Sequence, residues 1–206
     1  MGNSFTARNN LPGLLAGLAK ERGHDVQHRL ISAGGASLRQ HLNAGTALEA
    51  VAEGDYDVVV LQEQSTLPVK NPARMHDSVR DFDAAIRAAG AHTALYMTWA
   101  RRNAPGTQQA LTTAYATIAA EVGATLVPVG LIWERFLATH DQPLLHDADN
   151  SHPALAGSYL AACVFLITLL HEDPVGIDLP VKGLDATTAA LLRDSAWTIC
   201  EDLAAQ

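Results

Sequence analysis

The sequence predicts a single α/β domain: a three-layer α/β/α sandwich around a flavodoxin-like parallel sheet of about five strands. Three observations carry this prediction. Short apolar runs of strand length alternate along the chain with longer runs of helical period. The run Tyr56-Asp57-Val58-Val59-Val60-Leu61 has a β-branched core unbroken by polar residues, as a strand covered on both faces requires. Helical runs stop at Gly23, Gly54, Gly90 and Gly123, and glycine is the residue that most easily takes the left-handed conformation beyond a helix end.

Taken in order, Asn10-Leu11-Pro12 opens a helix over 12–22, with Pro12 in its first turn, where no N–H is needed. Residues 24–31 read as a strand, followed by the turn Gly34-Gly35. A helix is expected over 42–53, then the strand 56–61, a helix over 75–89, a strand over 93–98, a helix over 107–122 and a strand over 124–129. A short helix follows over 131–139. Pro153 starts a long helix over 153–171, and a last helix covers 185–204. Right-handed crossovers are the default for such units. Residues 174–183 form a turn-rich connection rather than a boundary, so 1–206 is read as one domain without internal repeats.

Composition narrows the function. The chain is 48% apolar and 17% charged, the profile of a globular protein, and 206 residues suffice for a core without disulfides or metals. A formal charge of −8 argues against a nucleic-acid partner, which needs a basic face, and the pair Arg101-Arg102 is too small to reverse this. Cys163 and Cys200 fall in helical runs and read as packed thiols. The nine histidines are dispersed and show no zinc spacing. His24 and His28 are four apart but sit in the expected strand, so no helical metal face follows and no metal is predicted. The longest apolar run, about 160–170, is too short to span a bilayer, so no membrane insertion is expected. No secretory leader is visible and the chain reads as cytoplasmic, although its abrupt start leaves a lost leader as the alternative.

Chemistry-bearing residues gather where strands end and helices begin, as ligand sites do in open parallel sheets. Ser4 precedes the first helix. Gly34 and Gly35 follow the strand ending at Ile31, and Gln62-Glu63-Gln64-Ser65 follow the strand ending at Leu61. Trp99, Arg101 and Arg102 follow the next strand, and Asp149 and His152 stand before the long helix. A serine in a tight turn with a distant Asp-x-x-His pair supplies the parts of a nucleophilic hydrolase: nucleophile, base and orienting acid.

In this order and spacing the chain resembles the SGNH hydrolases, the GDSL-type esterase and lipase superfamily. Gly2-Asn3-Ser4 stands for the family's Gly-Asp-Ser block, Gly35 (or Gly34) for the second block's glycine, and Asp149 with His152 for Asp-x-x-His. The last block extends through Asn150-Ser151-His152-Pro153 to Gly157-Ser158-Tyr159-Leu160. The resemblance implies Ser4 as nucleophile, His152 as general base and Asp149 as the group that orients it, with Asp147 as the alternate acid. It implies an oxyanion site made of the Ser4 and Gly35 N–H groups and one side-chain amide, with neither metal nor organic cofactor. It also implies a small-molecule or carbohydrate ester as substrate, short acyl esters or O-acetylated carbohydrate fitting short loops best.

Two departures stand out. The third block has no asparagine; Gln64 is its positional match, Gln62 the alternative, and Glu63 reads as a solvated carboxylate, with positioning of the loop as the other reading. Gln62 and Trp99 are candidate substrate contacts, with core packing as the other reading of Trp99. Only Met1 precedes Gly2, so the family's central first strand is expected to be missing or truncated, which would leave inner sheet edges unpaired. These departures keep open a ligand-binding protein of the same fold with weak or no turnover. A nucleotide or phosphate binder using Gly34-Gly35 is the third reading, although no P-loop spacing is present.

Overall fold

The strands sort their side chains onto two faces, and the two faces hold two separate cores. The computed structural model describes residues 1–205. Three strands, β1 (Val58–Leu61), β2 (His92–Tyr96) and β3 (Thr125–Val127), pair in parallel in the order β1-β2-β3. Val59 lies opposite Thr93, and Leu95 opposite Leu126. Successive strand residues point to opposite faces, so Leu61, Leu95 and Met97 enter one apolar cluster while Val60, Ala94, Tyr96 and Val127 enter the other.

Ten helices carry the covering layers among the described residues: α1 (Ser4–Ala7), α2 (Leu11–Glu21), α3 (Leu38–Ala44), α4 (Thr46–Glu53), α5 (Leu67–Lys70), α6 (Pro72–Ala88), α7 (Gln108–Val122), α8 (Val129–Thr139), α9 (Leu155–Leu170) and α10 (Ala186–Ala204). Leu38, Val51, Phe82, Ile86 and Ile118 bring α3, α4, α6 and α7 onto the first face. Leu18, Trp133, Phe136, Leu160 and Leu192 bring α2, α8, α9 and α10 onto the second. Every residue from Ala156 to Leu166 of α9 is buried, because α2, α8 and α10 pack around it. The three-layer sandwich therefore follows from strand alternation and from helices with one or more apolar faces.

Several boundaries differ from those read in the sequence. The single helix expected over 42–53 is two: α3 starts at Leu38 under a Ser37/Gln40 capping box, and Gly45 at φ 78° breaks the path before α4. α6 begins at Pro72, its first turn capped by the Asn71 side chain accepting from Arg74 N–H. α9 begins at Leu155 and not at Pro153, since Pro153 forms an isolated bridge with His146.

Residues 24–31 do not form the expected strand, and the sheet has three strands instead of about five. The reason lies beside them. The Met1 amino group donates to Val60 O (2.5 Å), and Gln62 N–H donates to Met1 O (3.0 Å). On the other side Gly2 N–H donates to Ile31 O (3.0 Å), and Ala33 N–H donates to Gly2 O (3.3 Å). Met1 and Gly2 thus lie between β1 and residues 31–33, pairing with both, in the place that a flavodoxin-like order assigns to its first strand. Away from these two residues, β1 and 24–30 face each other across a cavity of about 780 Å³, walled by Leu11, Leu15, Val26, Leu30, Val58 and Phe165. A strand exists only through its ladder, and among the described residues 25–30 make no backbone hydrogen bond.

Both thiols are free, Cys163 buried and Cys200 half-buried; burial pushes both up, Cys200 to about 12. Among the described residues no helix is long and apolar enough to cross a membrane.

The packing at the start of α9 is close enough to test. A Cβ on Gly157 would stand 2.4 Å from Leu145 O and 2.5 Å from the Trp133 ring. Overpacking of this kind costs about 1–3 kcal/mol, so Gly157→Ala should lower the melting temperature by about 3–10 °C. An unchanged melt would show that the Trp133–Leu145 wall yields freely.

Candidate active site

The turn that carries Ser4 is held by buried polar groups. Asn3, 2% exposed, caps α1 by accepting from Phe5 N–H (3.0 Å), and its amide donates to Ala36 O (3.0 Å). Asn3 N–H and the Thr6 hydroxyl both donate to Gln62 Oε1, at 2.9 and 3.0 Å. Gln62 Nε2 donates to Glu63 O. Gln62 is fully buried, so the end of β1 anchors the turn with no exchange to water. Gly2 makes the approach possible: a Cβ there would lie 2.5 Å from Gln62 Oε1. His41 Nε2–H donates to Gly2 O at 2.7 Å.

The second half of the site is the loop before α9. Asp149 Oδ1 accepts Ser151 N–H (3.0 Å) and His152 N–H (2.9 Å), closing the loop on its own carboxylate. Asn150 takes the left-handed conformation at φ 61°, one that asparagine tolerates. Trp99 Nε1–H donates to Ser151 O (3.0 Å), and Arg102 N–H donates to Asn150 O (2.9 Å). Trp99 itself is 2% exposed and stacks between Phe5 (5.0 Å) and Trp133 (3.7 Å). The Phe5 ring lies 5.3 Å from that of His152. Asn9 reaches across to Pro153 O (3.1 Å) and Ser158 Oγ (2.9 Å), tying the two halves together.

These constraints bring three side chains into one chain of hydrogen bonds. Ser4 Oγ lies 2.8 Å from His152 Nε2, and His152 Nδ1 lies 2.5 Å from Asp149 Oδ2. Asp149 accepts from Nδ1–H, which leaves Nε2 as the acceptor for the serine hydroxyl. Hydrogen bonds from the His152 ring, then from His152 and Ser151 N–H, hold the Asp149 carboxyl far below the usual carboxylate range. Asp147 is engaged elsewhere, with the Arg8 guanidinium and Ala148 N–H.

The remaining expected residues divide between the surface of the site and its frame. Gly35, at φ 66°, lies in an exposed turn, and no hydrogen bond among the described residues uses its N–H or that of Ser4. Gln64 Oε1 accepts from Thr66 N–H, the Thr66 hydroxyl and Leu67 N–H, and among the described residues its Nε2 makes no hydrogen bond. Gln62 and Trp99 are internal, their polar atoms spent on Asn3, Thr6, Glu63 and Ser151. Arg101 and Arg102 are exposed. Glu63 is not the solvated carboxylate read from the sequence: it is 0% exposed, and Leu38 and Gln64 N–H donate to its Oε1. Asn3 and Asn9 were missed in the sequence; Asn3 alone carried a signal, its place in the first block. Among the described residues no group of three His, Cys, Asp or Glu could hold a metal ion.

No family model matches the sequence, and no curated protein matches it. Solved structures do. A protein assigned to the SGNH hydrolases from Slackia heliotrinireducens is 35% identical, with a TM-score of 0.70 over 82% of this chain and 95% of that one. A psychrotrophic esterase from Pseudoalteromonas sp. is 16% identical, with a TM-score of 0.61 over 83% and 94%. A mutant of an acetyl-xylooligosaccharide esterase from Geobacillus is 17% identical, with a TM-score of 0.63 over 86% and 92%.

The depressed Asp149 pKa has a consequence for stability. A carboxylate stronger as an acid in the folded chain stabilises the fold above its unfolded pKa, and that contribution is lost as pH falls below about 4. Asp149→Asn removes the group, so its melting temperature should fall less than that of the wild type between pH 5 and pH 3. Parallel curves would mean that the loop does not depend on the ionised carboxylate.

Proposed function

Because this chain belongs to the SGNH hydrolases, we propose that it is a serine ester hydrolase in which Ser4, His152 and Asp149 act as the catalytic triad. The observation that carries this reading is the continuous Ser4–His152–Asp149 hydrogen-bond chain, at 2.8 and 2.5 Å. His152 Nε2 takes the Ser4 proton as Oγ attacks the ester carbonyl, and the new O–C bond gives a tetrahedral oxyanion. His152 then returns the proton to the leaving alcohol as the old C–O bond breaks. Water repeats the sequence on the acyl-enzyme, regenerating Ser4 and releasing the acid. Asp149 keeps the imidazole in the productive tautomer and stabilises its charged form.

The reading assigns the oxyanion three donors, the Ser4 and Gly35 N–H groups and the Gln64 amide, all three unpaired within the described residues. One such donor is worth about 10²–10³ in rate. Donors aimed at the developing oxyanion are usually the largest single source of acceleration.

Short acyl esters, O-acetylated carbohydrate among them, suit the site best. Ser4 and His152 are both partly exposed, so an ester can reach the hydroxyl from the surface. A solved neighbour of the same fold acts on acetylated xylo-oligosaccharide, which supports the carbohydrate reading.

Hydrolysis of p-nitrophenyl acetate and octanoate tests the proposal. Acetate should be preferred by kcat/KM. Ser4→Ala should lose at least about 10³-fold, and Asp149→Asn about 10²- to 10⁴-fold. Folded protein without Ser4-dependent turnover would make the chain a ligand-binding member of the fold instead.

A further inference from the structure

We propose that Glu63 is a positioning residue whose carboxylate clamps the Gly35 turn to the Gln64 loop and thereby sets the spacing of the oxyanion donors. The inference rests on the esterase reading of Ser4, and it goes beyond the triad to the part of the site where this sequence departs from the Gly-x-Asn-Asp block.

Glu63 is 0% exposed. Its Oε1 accepts Leu38 N–H at 3.1 Å and Gln64 N–H at 2.6 Å. Leu38 opens α3 three residues after Gly35, and Gln64 opens the loop that leaves β1. Among the described residues, the Leu38 bond is the only hydrogen bond joining residues 33–38 to residues 63–67.

The turn needs such a tie. Gly34 and Gly35 are exposed, and a Cβ built on either would meet nothing within 4 Å, so packing does not place the Gly35 N–H. Hydrogen bonds do. Ala33 N–H donates to Gly2 O (3.3 Å), and Ala36 O accepts from the Asn3 amide (3.0 Å); both fix the turn to the Ser4 side. The Glu63 bond fixes it to the Gln64 side. Ser4, Gly35 and Gln64 thus share one frame through Asn3 and Glu63.

Holding a carboxylate here is costly. Glu63 Oε2 is buried without a partner, and burial raises the Glu63 pKa, offset in part by Gln64 and Leu38 N–H and by the charges of Arg74 and Arg39. An apolar side chain could fill the space without that penalty, but it could not accept two N–H bonds.

Two variants separate reach from charge. Glu63→Gln keeps an acceptor at the same reach without the charge. Glu63→Asp keeps the charge and draws the acceptor back by one bond, about 1.5 Å. A misplacement of that order costs on the order of 10²-fold in rate. With p-nitrophenyl acetate, Glu63→Asp should lose kcat by that order with KM within about twofold, as expected for an effect confined to the transition state. Glu63→Gln should stay within about threefold of wild type. Amide exchange supplies a readout independent of turnover: Leu38 and Gln64 should lose protection in Glu63→Asp and keep it in Glu63→Gln.

Wild-type kcat in Glu63→Asp, or an equal loss in both variants, would overturn the clamp. If the wild type itself shows no Ser4-dependent turnover, the esterase reading fails. The exchange pattern then decides the clamp alone, and unchanged protection in Glu63→Asp overturns it.

Discussion

Two hydrogen bonds into Gln62 Oε1, from Asn3 N–H and the Thr6 hydroxyl, fix where the site can be. Ser4 lies on a four-residue helix, too short to hold itself in place by its own backbone bonds. Gln62, at the buried end of β1, gives that turn a partner on the rigid sheet. Low local polarity strengthens these bonds and makes each unpaired alternative expensive. Gly2 and the end of β1 are close because no side chain stands between them. From this anchor the Ser4 hydroxyl points to His152, and the Asn3 amide reaches Ala36 to hold the Gly35 turn.

The loop bearing Asp149 and His152 solves a complementary problem. Its residues are largely at the surface, where a free loop would sample many conformations. Asp149 divides its two oxygens: Oδ1 closes the turn on Ser151 and His152 N–H, and Oδ2 holds the imidazole. One carboxylate therefore shapes the backbone and orients the ring. The aromatic stack of Phe5, Trp99 and Trp133 backs this loop, with Trp99 also bonded to Ser151 O. A ring that packs on the serine's own helix thus also steadies the histidine loop.

Much of this was legible in the sequence, and the exceptions have physical causes. The strand at Val58–Leu61 and the helices ending at Gly90 and Gly123 are local facts, set by β-branched runs and stop residues. Ser4, His152 and Asp149 were legible through their order, and the structure places them in contact. Residues 24–31 were misread because strand formation needs a neighbour, which a run of residues cannot disclose by itself. Gly45 was overlooked because helical period continues across it while its backbone does not. The frame was the hardest part to see. Gln62 and Glu63 look like ordinary loop polar residues, and only the packing of residues 1–6 and 33–38 over β1 buries them.

The central claim is that Ser4 is a nucleophile activated by His152, and covalent trapping tests it most directly. Reaction with an alkyl fluorophosphonate, which loses fluoride as the Ser4 oxygen bonds to phosphorus, followed by intact mass and peptide mapping, should give one adduct per chain, located on Ser4. The labelling rate should fall sharply in His152→Ala while the fold is retained. Folded protein that takes no adduct, or an adduct that persists in Ser4→Ala, would contradict the account.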